Sequence, residues 1–178
     1  MHGAFNGKFL RVDLTRGTTE VEDVPELTYR MYLGGSAMAA YILTRELKPG
    51  IDPLGPDNIL VFTTCPANGS PLSGTNRFTC AAKSPLTGGY GESEAGGWWG
   101  PELKFAGFDG VIVTGQSPRP VYLWIADGKA ELRDASHLWG KLSGEVQDIL
   151  TAETDKRASI LQCGPAGERR VRLDNIVN

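Results

Sequence analysis

Between Ser73 and Gly110 the chain reads SGTNRFTCAAKSPLTGGYGESEAGGWWGPELKFAGFDG, a stretch with one arginine, Arg77, set among repeated glycines. The doublets Gly88-Gly89 and Gly96-Gly97 lack the Cβ that forbids positive φ or close approach by another group. They suit tight turns or a ligand cradle. A phosphate-binding loop of the form Gly-x-x-x-x-Gly-Lys-Ser/Thr does not occur, nor does Gly-x-Gly-x-x-Gly between a strand and a helix. Two readings stay open. In one, backbone N–H groups around Gly96-Gly97, at the start of a helix GWWGPELKFAG, face an anionic ligand, and Arg77 adds a planar donor fork suited to phosphate or a fused heterocycle. In the other, the glycines serve turns and Trp98 and Trp99 are core.

Other candidates for chemistry are sparse. Cys65, Cys80 and Cys163 are odd in number and far apart, and His2 and His137 are the only histidines. No zinc site, complete iron-sulfur site or Cys-His pair can be drawn from them. The cysteines read as small apolar groups, and His137 as the partner in a local hydrogen bond. Lys83 and Lys104 could approach an anion, but solvated lysine is the commoner case; Glu102 is expected to cap or pair locally.

These residues need elements to hold them. KFLRVDLTRGTTEVEDV alternates apolar and polar residues around a glycine-bearing turn, the pattern of a hairpin. Pro25 opens a helix with Leu27, Met31 and Leu33 on one side and Gly34-Gly35 as its stop. A second helix spans Ser36 to Leu47, with Ser36 as N-cap and Pro49-Gly50 ending it. NILVFTT and NRFTCAAK read as strands, and DGVIVTG, RPVYLWIAD and KAELRDA as three more, the last two joined at Asp127-Gly128. Ser143 to Thr154 forms an amphipathic helix with Val146, Ile149 and Leu150 on one face. RASILQCG and RRVRLDNIV are expected as closing strands around a Gly-Pro-Ala-Gly turn, which puts Arg170 and Arg172 on one face and Arg169 on the other. Short turns between strands favour an α+β fold with two mainly antiparallel β-sheets and a few helices. A loose echo of hairpin, helix and strands in both halves suggests internal duplication.

The 178 residues suffice for one domain, residues 1–178, with its own core. A net charge of -3 and scattered lysines and arginines argue against nucleic acid as a partner. The longest apolar run, Ile59 to Thr64, falls far short of a membrane span of about 20 residues. Met1 to Leu10 has no secretory pattern. A cytoplasmic location is the expectation.

The strings GKFLRVDLTRG, YLGGSAMAAYIL, PLSGTNRFTCAAKSPLTG, AGGWWGPELKFAGFDGVIVTG, RDASHLWGK and GPAGE, in that order from Gly7 to Asn178, resemble the N-terminal domain of the aldehyde ferredoxin oxidoreductase family. The resemblance implies a base of two antiparallel sheets that carries tungsten or molybdenum between two pterin dithiolenes, with magnesium bridging the pterin phosphates. It implies that Arg77 takes the place of the arginine between pterin and iron-sulfur cluster, and that Gly96 matches a pterin-contacting glycine. The cofactor-binding residues implied are Arg77, Glu94, Ala95 and Gly96. The family commonly has asparagine where Glu94 stands, and its main-chain carbonyl helps hold the magnesium. Glu94 keeps such a carbonyl and adds a carboxylate that binds the cation or repels the phosphates.

The same resemblance implies a second pterin-binding segment and the iron-sulfur cysteines beyond Asn178, in the remaining domains of the enzyme. Aldehyde oxidation with ferredoxin as electron acceptor is the reaction implied, and the 178 residues alone are expected to be inactive. Relatives that reduce aromatic thioesters, and a non-catalytic binding or assembly module with an exposed apolar docking face, are the alternatives. A homo-oligomer is compatible with all three. In such enzymes the cofactor carries the redox chemistry and the protein supplies position and electrostatics, which agrees with the scarcity of catalytic side chains.

Overall fold

Strand β1 (Lys8–Asp13) turns back into β2 (Thr18–Asp23), pairing Leu10 with Val21 and Val12 with Thr19. The computed structural model describes residues 4–178, so His2 and the start of Met1 to Leu10 lie outside the described residues. Helices α1 (Glu26–Tyr32) and α2 (Gly35–Glu46) follow. Next come β3 (Ile59–Thr63), β4 (Phe78–Lys83) and β5 (Tyr90–Ala95), then helix α3 (Trp99–Phe105) and β6 (Gly110–Thr114). A hairpin of β7 (Val121–Ala126) and β8 (Lys129–Asp134) precedes helix α4 (Ser143–Glu153). Two-residue β9 (Gln162–Cys163), short helix α5 (Pro165–Glu168) and two-residue β10 (Ile176–Val177) finish the order.

Six strands form one sheet in the order β2-β1-β6-β3-β4-β5, while β7-β8 and β9-β10 are separate two-stranded ribbons. The α+β class holds, with one large sheet and two small ones. Every pairing in the large sheet is antiparallel except β1 with β6, where Phe9 lies opposite Gly110. β6 enters between β1 and β3, and the close approach is built on Gly110: a Cβ there would sit 2.6 Å from the Phe62 carbonyl oxygen and 2.9 Å from Phe9 Cζ.

Both faces of the large sheet are covered, which is why β3 and β6 read as continuous apolar runs rather than alternating ones. Phe9, Val61, Ala81 and Ile112 meet Tyr29, Met38 and Ile42 of the two first helices on one face. Leu10, Phe62, Phe78 and Val111 meet Leu103 and Phe108 on the other, with Leu123 and Leu132 of the β7-β8 ribbon beside them. A third cluster, Ala135, Leu138, Val146 and Leu150, lies beneath α4.

Several expectations need correction. In α1 the buried residue is Tyr29, whereas Leu27, Met31 and Leu33 are 61 to 67% exposed; a single turn of apolar spacing cannot tell an outward stripe from an inward one. Ser36 lies inside the first turn of α2, whose N-cap is Gly34 with no side-chain cap. YGESEA, to which the sequence pattern assigns no element, is strand β5. RASILQCG and RRVRLDNIV supply two residues each to β9 and β10, the intervening turn is helix α5, and Arg169 to Arg172 do not form a strand. Arg170 instead takes φ of 57°. The second half therefore does not rebuild the large sheet of the first.

Candidate cofactor site

The glycine-rich stretch folds into the β4-β5 hairpin at the rim of the large sheet. Register pairs Phe78 with Ala95 and Thr79 with Glu94. Arg77 and Gly96 are the next positions outward on the two strands, so the hairpin brings together Arg77, Glu94, Ala95 and Gly96. Arg77 and Glu94 are exposed, and among the described residues neither side chain has a hydrogen bond or ion pair. β5 is the outer strand of the sheet. One side of its backbone is free of a partner strand.

Beyond the hairpin the chain turns on glycine. Gly97 has φ of 87°, and a Cβ there would lie 2.6 Å from the Asn178 side-chain nitrogen. That nitrogen donates to the Gly96 carbonyl at 2.9 Å. A Cβ on Gly96 would meet the Asn76 carbonyl oxygen at 3.8 Å. The backbone at Gly96-Gly97 is thus bordered by the Asn76 carbonyl before Arg77 and hydrogen-bonded by Asn178. By contrast, Gly88-Gly89 serves the Ser84 to Gly89 turn, where Gly88 N–H donates to the Ser84 carbonyl at 2.9 Å.

The two tryptophans divide as an adjacent pair on a helix must. Trp99 packs on Phe62 and Phe78, with ring centroids 5.5 and 4.8 Å away. Trp98 is 65% exposed beside Gly97. His137 contacts Glu153 at 3.0 Å, the local bond expected.

The lysines differ from expectation, since neither is simply solvated. Lys83 donates to the Ile51 carbonyl at 2.6 Å. The Lys104 side chain is only 9% exposed and stands 3.8 Å from Asp109. Asp109 accepts hydrogen bonds from the Tyr29 hydroxyl at 2.9 Å and from Asn6 and Gly7 N–H at 3.1 and 2.8 Å. This buried network was missed by sequence reasoning, because its members lie in three separate strings. The signal available was the crowding of charge among apolar residues in ELKFAGFD, where burial requires a partner for each charge.

The three cysteines are free and do not cluster. Among the described residues no group of three or more His, Cys, Asp or Glu side chains could hold a metal ion. Any cation at this rim would therefore need main-chain oxygens or ligands from outside this chain in addition to the Glu94 carboxylate.

The family model for "Aldehyde ferredoxin oxidoreductase, N-terminal domain" matches residues 9–178. The chain belongs to the aldehyde ferredoxin oxidoreductase family. It is 42% identical over 97% of its length to the tungsten-containing aldehyde ferredoxin oxidoreductase of Thermococcus kodakarensis, covering 29% of that protein. It is 33% identical over 98% of its length to the aliphatic sulfonate oxidoreductase, WOR-like subunit, of Pyrococcus furiosus, covering 30% of it. Among solved structures, the active site complex of benzoyl coenzyme A reductase with 1,5 dienoyl-CoA matches with a TM-score of 0.96 and 40% identity, over 99% of this chain and 27% of that one. The chain therefore spans less than a third of the length of these family members.

Proposed function

We propose that this chain is the pterin-holding part of a tungsten- or molybdenum-dependent oxidoreductase that oxidises aldehydes to carboxylic acids in the cytoplasm. The observation that carries the reading is the β4-β5 register, which brings Arg77, whose side chain has no hydrogen bond or ion pair among the described residues, and Gly96 to the same end of a hairpin whose β5 is an outer strand. The donor set fits a flat anionic group. Arg77 supplies permanent positive charge, and the glycines let a ring system approach the main chain without meeting a Cβ.

When bound, the metal-pterin group supplies the two-electron redox chemistry. The residues of this chain bind and orient it. Arg77 would offset its negative charge, Ala95 and Gly96 would lie against it, and the Glu94 carbonyl would be a ligand for an accompanying magnesium ion. The exposed Glu94 carboxylate, on the same residue, would be available to add to that ion's coordination. Overall, an aldehyde and water would yield a carboxylic acid, two protons and two electrons, with ferredoxin as the proposed electron acceptor and an iron-sulfur cluster proposed for the remaining domains of the enzyme. Those domains would also cover Trp98 and the exposed residues of α1.

A second reading, reduction of an aromatic thioester, is favoured by the benzoyl coenzyme A reductase match. Its 40% identity is within two points of the 42% found for the aldehyde enzyme.

The test is expression of the full reading frame, anaerobically and with tungstate or molybdate, followed by metal and pterin analysis. Bound metal and pterin, lost from Arg77→Ala, are expected. A wild-type protein without either, while folded, would leave the non-catalytic module in its place. Assays with aldehyde and ferredoxin, then with an aromatic thioester, separate the two enzyme readings.

A further inference from the structure

We infer that Lys104 is a positioning residue, whose buried ammonium clamps the loop carrying Arg77 to the helix that follows Gly96-Gly97. α3 starts at Trp99, two positions after Gly97, and Lys104 lies in its last turn. The ammonium donates to the Cys65 carbonyl at 3.2 Å, the Pro66 carbonyl at 3.5 Å and the Ala4 carbonyl at 2.6 Å. An ammonium has three protons and no acceptor capacity, so these carbonyls use its whole donor set. Asp109, 3.8 Å away, supplies the countercharge. Burial pulls the lysine pKa down, and Asp109 opposes that shift.

The clamp is transmitted along the loop by bonds the loop makes with itself. Asn68 N–H donates to the same Cys65 carbonyl at 3.1 Å. Gly69 N–H donates to the Asn76 side-chain oxygen at 3.2 Å, and Cys65 Sγ lies 3.8 Å from the Thr75 carbonyl oxygen. Asn76 precedes Arg77, and its own carbonyl borders Gly96. Fixing Cys65 and Pro66 to α3 therefore fixes the distance between the two halves of the rim. The inference rests on the proposed cofactor site for what Arg77 meets, though not for the clamping itself.

The test uses the full-length protein with Lys104→Met combined with Asp109→Asn, so that no buried charge is left without its partner. Amide hydrogen exchange is read in two peptides, residues 65–77 and the hairpin 8–23, and bound pterin and metal are measured in the same samples. Exchange in 65–77 is expected to rise about tenfold or more with the hairpin unchanged, and cofactor content to fall toward that of Arg77→Ala. Unchanged loop exchange overturns the inference. So does a parallel rise in both peptides, which would mark general loosening, and so does faster loop exchange with full cofactor content. Should Arg77→Ala itself keep its cofactor, the site reading fails, and the clamp is decided by exchange alone. Lys104→Arg is the second variant if the double one does not fold. Its planar fork cannot reproduce three diverging ammonium bonds, so faster loop exchange is expected there as well, and wild-type exchange overturns the inference.

Discussion

The Asn178 side chain and the Gly96 carbonyl are joined by a 2.9 Å hydrogen bond that spans 82 positions of sequence. The same amide nitrogen lies 2.6 Å from where a Cβ on Gly97 would be, and Gly97 holds φ of 87°. Gly97→Ala therefore meets two costs, backbone strain and a collision. It is expected to destabilise the protein by roughly 1–3 kcal/mol, and Asn178→Ala by about 0.5–1.5 kcal/mol through the lost bond. In the double variant the collision is gone and the strain remains, so the combined cost should be less than the sum. Urea unfolding of the three variants checks this; strict additivity would mean that the amide does not occupy that space.

Trp98 and Trp99 should differ sharply. Trp99 packs between Phe62 and Phe78, and Trp99→Ala is expected to cost about 3–5 kcal/mol. Trp98, 65% exposed, is expected to change stability by no more than about 0.5 kcal/mol when replaced by alanine in the isolated chain. In the full-length protein a larger effect of Trp98→Ala would locate an interdomain contact there. Thermal unfolding of both variants in both forms gives the comparison.

Much of the fold was legible where local chemistry is decisive. Asp127-Gly128 marked the β7-β8 hairpin because a tight turn needs positive φ, and both residues adopt it, at 49° and 76°. The alternation in KFLRVDL marked β1 for the same kind of reason. The β1-β6 pairing was not legible, since the partners lie about a hundred positions apart and no local pattern records which strand enters between two others. β5 was hidden because an edge strand can keep Glu92, Ser93 and Glu94 exposed together. At the candidate site, residue chemistry and family resemblance single out Arg77 and Gly96, while their placement at the same end of the β4-β5 hairpin comes only from register. Lys104 was misread as solvated because lysine burial depends on carbonyls supplied by Ala4, Cys65 and Pro66, three distant main-chain groups.

Gly110 is a test of the central packing. Its missing Cβ admits the Phe62 carbonyl and the Phe9 ring. Gly110→Ala is expected to destabilise by about 1–3 kcal/mol, the usual range for overpacking a core. Gly128→Ala has open space around it and only φ of 76° to resist it, so its effect should be the smaller of the two. Chemical unfolding of both variants checks the order, and the reverse order would contradict the parallel β1-β6 register.

Tyr29 and Asp109 give a further prediction. Tyr29→Phe removes the 2.9 Å hydroxyl bond and leaves the buried carboxylate with its main-chain N–H partners and Lys104. A hydrogen bond to a charged group contributes about 1.5–3 kcal/mol, so a loss in that range is expected. The folded phenol is pushed well above its ordinary value, chiefly by burial and then by Asp109. A raised pKa means stability that is complete below about pH 10 and falls as pH rises beyond it. Tyr29→Phe should therefore flatten the alkaline end of the stability curve as it lowers the plateau. A curve that is lower but equally steep would place the alkaline transition elsewhere.

Cys80 contributes to the earlier part of that curve, alongside Cys163, whose thiol burial also pushes up. Burial among Phe62, Phe78 and their neighbours pushes the Cys80 thiol from 9.0 up to about 12. In the unfolded chain the thiol loses its proton first, so from about pH 8.5 to about 12 the unfolded state binds fewer protons than the folded one. Stability must fall with rising pH across that window, by at most about 1.4 kcal/mol per pH unit from this group. Cys80→Ala removes the titrating group, and its urea midpoint is expected to vary less than wild type between pH 8.5 and 10, below the range where Tyr29 contributes. Alkylation offers an independent check: Cys80 should react with iodoacetamide at pH 8 far more slowly than an unfolded control, because the thiolate is the nucleophile and burial suppresses it. Equal slopes in wild type and Cys80→Ala, together with rapid alkylation, would mean that the thiol is solvated and the outer strands of the sheet open far more readily than their packing indicates.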